Sequence, residues 1–241
     1  MDDLDQHFMI DEDLIKRIVK YAKLKKNEIV LEIGPGKGAL TRELLKKCKV
    51  TAVEKDKSLK KDLESIPNLR LNFTDAINYL KKHNDFDKIV ANIPYVISEP
   101  LLNQLKYNNF KIAILTVGST FAKKLTGKKE SKLSITAPLF FDIKILEEVS
   151  KDSFTPKPRT KSAVIQLKHR TKLTKQESIL KDFLKQEDKK AKNALRETLT
   201  RLGLTKKEAK TKISNLKLDM NTKNLSITEI KKVEELISTL V

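Results

Sequence analysis

The chain has 241 residues, enough for one large domain or for a core domain with a small appendage, and enough to bury a core without a disulfide or metal staple. Its single cysteine, Cys48, excludes a disulfide framework, and no Cys/His cluster has zinc spacing. Fifty basic residues against 32 acidic ones give a formal net charge of +18, a surplus that attracts polyanions, nucleic acid first among them. Only seven of the 50 basic residues are arginine, so the surplus also reads as a lysine-rich solubilising surface. No apolar run approaches the ~20 residues of a membrane span, and the acidic start Met1–Asp5 lacks a signal-peptide core. A cytoplasmic, monomeric protein with no membrane contact is expected.

Taken in chain order, apolar residues at Leu14, Ile15, Ile18, Val19 and Ala22 have helical spacing, and Asp11 is placed to cap that helix. Residues 28–33 read as a buried strand that runs into Gly34-Pro-Gly-Lys-Gly38, and a helix is expected over 39–48. Strands follow at 50–53, 69–72, 88–91 and 112–116, with helical segments from Ser58 and Ala76 between them. Strands alternating with helices make right-handed βαβ units and a parallel sheet covered on both faces. Ligands of such sheets lie at the carboxyl ends of the strands. Gly34, Glu54, Asp75 and Asn92 each follow a different strand and fall at those ends.

After Ser131 the pattern changes. Residues 133–141 suit a helix, and 143–149 and 163–167 suit two strands joined through Phe154-Thr-Pro-Lys-Pro158, whose prolines cannot donate to a ladder. From about Arg170 only helical periodicity remains, over 176–184, 189–199, 206–216 and 228–240. The stretch from Arg170 to Val241 holds 18 basic and 10 acidic residues, a denser positive charge than the rest of the chain carries. The expected division is a strand-bearing domain over residues 1–170 and a basic helical one over 171–241.

The glycine turn lets the backbone approach a ligand closely. By itself Gly34-x-Gly-x-x-Ala39, with Glu54 twenty residues on, fits a dinucleotide site as well as any other nucleoside cofactor. A carboxylate at Glu54 accepts from ribose hydroxyls, or is a surface acid in the run Glu54-Lys-Asp-Lys57. Asp75 accepts from an adenine amine or caps the helix from Ala76. Gln6-His-Phe-Met9 reads as a polar arm, and Lys123-Lys124 and Lys128-Lys129 as solvated surface.

Asn92-Ile-Pro-Tyr95 resembles the [N/D]-[P/I/L]-P-[Y/F] pattern of amino methyltransferases. The chemistry explains these residue types. An exocyclic adenine amine is a poor nucleophile because its lone pair is delocalised into the ring. The Asn92 side-chain oxygen and the Ile93 carbonyl can accept its two hydrogens and localise that pair. Pro94 fixes the turn that aims the carbonyl, and Tyr95 offers a ring for an extruded base to stack on. With Gln6-His-Phe-Met9, Leu31-Glu-Ile-Gly-Pro-Gly-Lys-Gly38, Asp75-Ala76 and Phe154-x-Pro-x-Pro158, the chain resembles the small-subunit ribosomal RNA adenine N6-dimethyltransferases, the KsgA family. Lys189-Lys-Ala-Lys-Asn193 is similar to that family's basic helix, whereas Val117-Gly-Ser119 departs from its usual Gln-Lys-Glu.

The resemblance implies a Rossmann-like class I S-adenosylmethionine-dependent methyltransferase fold, its mostly parallel sheet closed by an antiparallel hairpin. S-Adenosyl-L-methionine would meet His7, Met9, Gly34, Gly36, Glu54, Asp75 and Asn92. Asn92, Ile93, Pro94, Tyr95 and Phe154 would handle the target base, Phe154 facing Tyr95 across it, and no metal is implied. The substrate would be two adjacent adenines in a hairpin near the 3′ end of small-subunit rRNA in an immature subunit, with the helical domain on rRNA phosphates. Two other readings share the pattern: a large-subunit rRNA adenine methyltransferase, and a nucleic-acid-binding assembly or transcription factor that no longer turns over.

Overall fold

A computed structural model describes residues 6–240; the acidic segment Met1–Asp5 lies outside them. The chain forms two compact units, one made of the residues up to Thr126 together with Phe141–His169, the other of Gly127–Phe140 together with the chain from Arg170 on.

In the first unit the elements run β1 (Phe8–Met9), α1 (Glu12–Tyr21), β2 (Ile29–Ile33), α2 (Ala39–Leu45), β3 (Lys49–Glu54), α3 (Lys60–Glu64), β4 (Arg70–Phe73), α4 (Ala76–Leu80), β5 (Lys88–Asn92), α5 (Ser98–Leu105), β6 (Ile112–Gly118) and α6 (Ser119–Leu125). After α7 (Lys132–Phe140), which belongs to the second unit, β7 (Phe141–Val149), β8 (Phe154–Thr155) and β9 (Ser162–His169) complete it. Seven strands form one sheet in the order β4-β3-β2-β5-β6-β9-β7. The first five are mutually parallel, and β9 is antiparallel to both β6 and β7. Strand β2 has β3 on one side and β5 on the other, so the chain reverses its direction of winding there and opens a crevice at the carboxyl ends.

Helix α1 forms where the periodicity places it, Asp11 Oδ1 accepting from Leu14 N as its cap. Its apolar stripe of Leu14, Ile15, Ile18 and Val19 packs with Leu40 and Leu44 of α2 against Val30, Val50, Val90, Ile114 and Val164, one residue from each of five neighbouring strands. Helix α2 is shorter than the sequence suggests. It stops at Leu45 so that Lys49 N can reach Glu28 O and start β3 beside β2.

The arm and the proline-rich connection differ from expectation together. Phe8 pairs with Thr155 and Met9 with Phe154, forming a separate two-stranded antiparallel sheet from segments that read as a polar arm and a loop. Neither has strand character alone; each acquires it from a partner about 145 residues away.

In the second unit α7 is followed by α8 (Lys175–Leu184), α9 (Ala191–Arg201), α10 (Lys206–Lys212) and α11 (Ile227–Ser238). Leu180, Phe183, Leu195, Leu199, Ile230, Val233 and Ile237 are buried in it. Thr174–Glu177, Thr205–Glu208 and Ser226–Glu229 form capping boxes at the starts of α8, α10 and α11. Arg170 ties α7 to α8 by donating to Pro138 O and to Glu177. The sequence division at residue 170 places α7 with the strands, whereas its contacts group it with these helices. Among the described residues no helix is long and apolar enough to cross a membrane.

Candidate active site

The crevice at the carboxyl ends of β2, β3 and β5 holds a partly open cavity. Its first wall is the turn after β2. Gly34 and Gly36 have φ of +68° and +57°, in the left-handed region that a side chain disfavours. At Gly36 a Cβ would also come within 2.9 Å of the Phe8 ring. The turn therefore needs glycine both for its own backbone and for the segment laid across it.

Glu54, at the tip of β3, is buried and holds the second wall. Its Oε1 accepts from Lys55 N at 2.7 Å and Asp56 N at 2.8 Å, and its Oε2 from Gly36 N at 3.3 Å. Burial pushes its carboxyl above the ordinary range, and these three N–H groups work against the rise. The long Gly36 bond leaves Oε2 with capacity for another donor.

Residues 6–9 form a strap across the strand tips. Gln6 donates to Asp56 Oδ2 at 3.0 Å, the Phe8 ring lies on Gly36 beneath the Lys37 ammonium, and Met9 pairs with Phe154. The His7 ring nitrogen Nδ1 lies 2.8 Å from Pro156 O, and because a carbonyl only accepts, Nδ1 carries the hydrogen. His7 O in turn accepts from Asn92 Nδ2 at 2.9 Å.

That last bond fixes the Asn92 amide at the end of β5. With Nδ2 committed to a carbonyl, Oδ1 is the group that remains for a ligand in the cavity Asn92 lines. Ile93 is buried and its N donates to Thr116 O, which holds the next peptide in line with the sheet. The Pro94 carbonyl is taken by Ile97 N and the Ser98 hydroxyl, so it closes the following turn. Tyr95 lines the cavity with its hydroxyl 2.7 Å from Ser162 Oγ.

The structure thus gathers His7, Met9, Gly34, Gly36, Glu54, Asn92, Ile93, Pro94, Tyr95 and Phe154 around one cavity. Two expected residues stand differently. Asp75 is outside the lining; its Oδ1 caps α4 by accepting from Ile77 N and Asn78 N, and Oδ2 faces Lys55 Nζ at 3.9 Å. Phe154 lines the cavity but is only 2% exposed and packs in the core with residues of α1.

The residue that sequence reading passed over is Glu32. It is 1% exposed, lines the cavity, and its Oε2 has no hydrogen-bond partner. Burial pushes its carboxyl up to about 8, the Thr41 hydroxyl beside it pulling down and the Glu54 carboxylate adding to the rise. Its signal was a lone acid inside the apolar run Ile-Val-Leu-Glu-Ile of β2.

A family model described as ribosomal RNA adenine dimethylase matches residues 2–239. The chain belongs to the ribosomal RNA adenine dimethylase family. It is 35% identical to a curated "Probable ribosomal RNA small subunit methyltransferase A" from Thermococcus sibiricus, over 98% of this chain and 91% of the relative. A protein of the same name from Methanosphaera stadtmanae is 35% identical over 95% of this chain and 90% of its own. Among solved structures, a dimethyladenosine transferase from Plasmodium falciparum superposes with a TM-score of 0.65 at 26% identity, covering 94% of this chain and 96% of that one. The 23S rRNA methyltransferase ErmE superposes at 0.65's near equal, a TM-score of 0.63, but at 22% identity over 96% of this chain and 99% of its own, which shows a shared fold. For a ribosomal RNA adenine dimethylase, the cavity described above sits where the strand tips bring an amide, a carbonyl and an aromatic ring together.

Proposed function

We propose that this chain transfers methyl groups from S-adenosylmethionine to the N6 amines of two adjacent adenines in a hairpin near the 3′ end of small-subunit rRNA, on the immature subunit. The observation that carries this reading is the Asn92 amide, whose nitrogen is spent on His7 O and whose oxygen is left as an acceptor in the cavity.

The residues fit the cofactor. Glu54 Oε2 is placed to accept from ribose hydroxyls, the Gly34–Gly36 turn keeps side chains out of the space, and the unpartnered Glu32 Oε2 lacks a donor that an ammonium supplies. Asp75, at the next strand tip, is the acceptor proposed for the adenine amine of the cofactor. His7, Met9 and Phe154 line the same cavity. The bound cofactor supplies an electrophilic methyl on a sulfonium. Asn92 Oδ1 and the Ile93 carbonyl accept the two N6 hydrogens of the target adenine and localise its lone pair, Tyr95 stacks the unpaired base, and Pro94 holds the turn that aims both acceptors. The amine's surplus proton leaves to solvent, so no separate general base is required.

In the helical unit Lys189, Lys190 and Arg196 of the α9 region and Lys206, Lys207 and Lys210 of α10 line one groove, the face proposed for rRNA phosphates. With about six phosphate contacts, affinity for rRNA should fall by roughly 10³-fold between 50 and 200 mM salt. Filter binding across that range checks it, and a flat profile would return the surplus charge to solubility.

The reading itself is tested by transfer of labelled methyl to small subunits that lack the modification, with mapping of dimethyladenosine on the product. Calorimetry should show cofactor binding, and Glu54→Ala should weaken it by about 10- to 100-fold, the loss of a charged hydrogen-bond acceptor. Cofactor affinity unchanged in that variant would remove Glu54 from the site.

A further inference from the structure

We infer that Gly118 and Ser162 are positioning residues that together seat the Tyr95 ring, and that the size of residue 118 decides whether an unpaired base can lie against that ring. The inference rests on the reading of the cavity as an adenine site, and adds the groups that orient its stacking surface.

Gly118 ends β6 and Ser162 begins β9, and the two are directly paired across the antiparallel ladder. The Tyr95 hydroxyl lies 2.7 Å from Ser162 Oγ, so the far end of the side chain is pinned to one member of the pair. Over the other member the ring itself is in place: a Cβ built on Gly118 would meet Tyr95 Cδ1, Cε1 and Cγ at 3.6 to 3.7 Å. Ser162 is 1% exposed, so its hydroxyl has no water to turn to and depends on the phenol.

Gly118 is not required by its backbone. Its φ of −58° and ψ of 136° suit any residue. What glycine supplies is room, and the distances grade that room. A single methyl makes ordinary van der Waals contact with the ring, whereas a branched side chain adds atoms beyond Cβ toward a ring already in contact. One hydroxyl contact and one flat glycine surface together define both where the ring ends and which way its face turns. A base stacks productively only if that face is already set, since small misplacement of a reacting group is costly.

The test uses full-length protein with carbon-13 labelled tyrosines, of which there are four, the Tyr95 signal being assigned by its loss in Tyr95→Phe. Ser162→Ala and Gly118→Val should each shift the Tyr95 ring signals in the free protein, and Gly118→Ala should leave them nearly in place. In methyl transfer, Ser162→Ala and Gly118→Val should lower kcat by about tenfold or more with cofactor affinity within about twofold, and Gly118→Ala should stay within about twofold of wild type. Tyr95→Phe combined with Ser162→Ala should be no slower than the slower single variant, because both remove the same hydrogen bond. Unmoved Tyr95 signals in Ser162→Ala, or additive losses in the double variant, would overturn the inference. Ser162→Ala removes one oxygen, so it decides the matter even if Gly118→Val does not fold. Wild-type protein that transfers no methyl would instead defeat the reading of the cavity, while the ring signals still report the seat.

Discussion

Replacing Asn92 with alanine is expected to slow methyl transfer by about 10²- to 10³-fold, the scale lost when one preorganised polar group is removed from a reacting centre. Cofactor affinity should fall by less than about tenfold, since the variant also gives up one neutral hydrogen bond, from Nδ2 to His7 O. The asymmetry follows from what each atom does. Nδ2 holds the strap, which contributes to binding, and in the proposed reading Oδ1 accepts from the target amine, which matters when the lone pair must point at the methyl. Asn92→Asp separates the two, because a carboxylate keeps an acceptor for the amine and cannot donate to His7 O. Single-turnover rates beside calorimetric affinities measure both. Equal losses in rate and affinity for Asn92→Ala would contradict the assignment of Oδ1 to the substrate.

Glu32→Gln should markedly change the pH dependence of stability. The buried carboxyl holds its proton up to about 8, against an ordinary value of 4.5. Between those pH values the unfolded chain has released the proton and the folded chain has not. The folded state therefore binds more protons, and stability must decline as pH rises through the window. The contribution is fully present below about pH 4.5 and is lost as pH passes the folded value. At about 1.4 kcal/mol per pH unit, the difference across the window is on the order of 5 kcal/mol. Glutamine has no proton to lose, so the variant should gain on wild type steadily from pH 5 to pH 8. Urea unfolding at several pH values measures the gap, and parallel curves would show that Glu32 is already ionised in the folded chain. The same carboxyl lines the cavity, so a cationic ligand beside it should narrow the gap.

Much of this was legible because it is local. The parallel strands announce themselves as short apolar runs, and Gly34, Glu54 and Asn92 stand where such runs end, so sequence order alone placed them at one edge of the sheet. The turn after β2 was legible because glycine is the residue that adopts such φ values without strain. The β1–β8 pairing was not, since two residues of strand carry no periodicity and the geometry comes from a distant partner. Phe154 was legible only in part: its motif placed it at the cavity it lines, but its packing into the core with α1 depends on contacts that no motif reports. The three capping boxes had a visible Ser/Thr-x-x-Glu spelling; those of α8 and α11 move the helix starts from Gln176 to Lys175 and from Thr228 to Ile227, and that of α10 keeps the start at Lys206. The grouping of α7 with the later helices depends on side chains such as Arg170 reaching Pro138 and Glu177, which no spacing rule reports.

The pairing of Phe8 with Thr155 also has a bearing on synthesis. The first strand made waits for nearly the last one of its unit, so translation must deliver roughly 150 residues, at a few to some tens of residues per second, before the strap can close. Until then the nascent chain has its glycine turn and its acidic strand tip but no roof over them. Closure of the strap thus comes late in synthesis, with β9 alone of the first unit's strands still to follow.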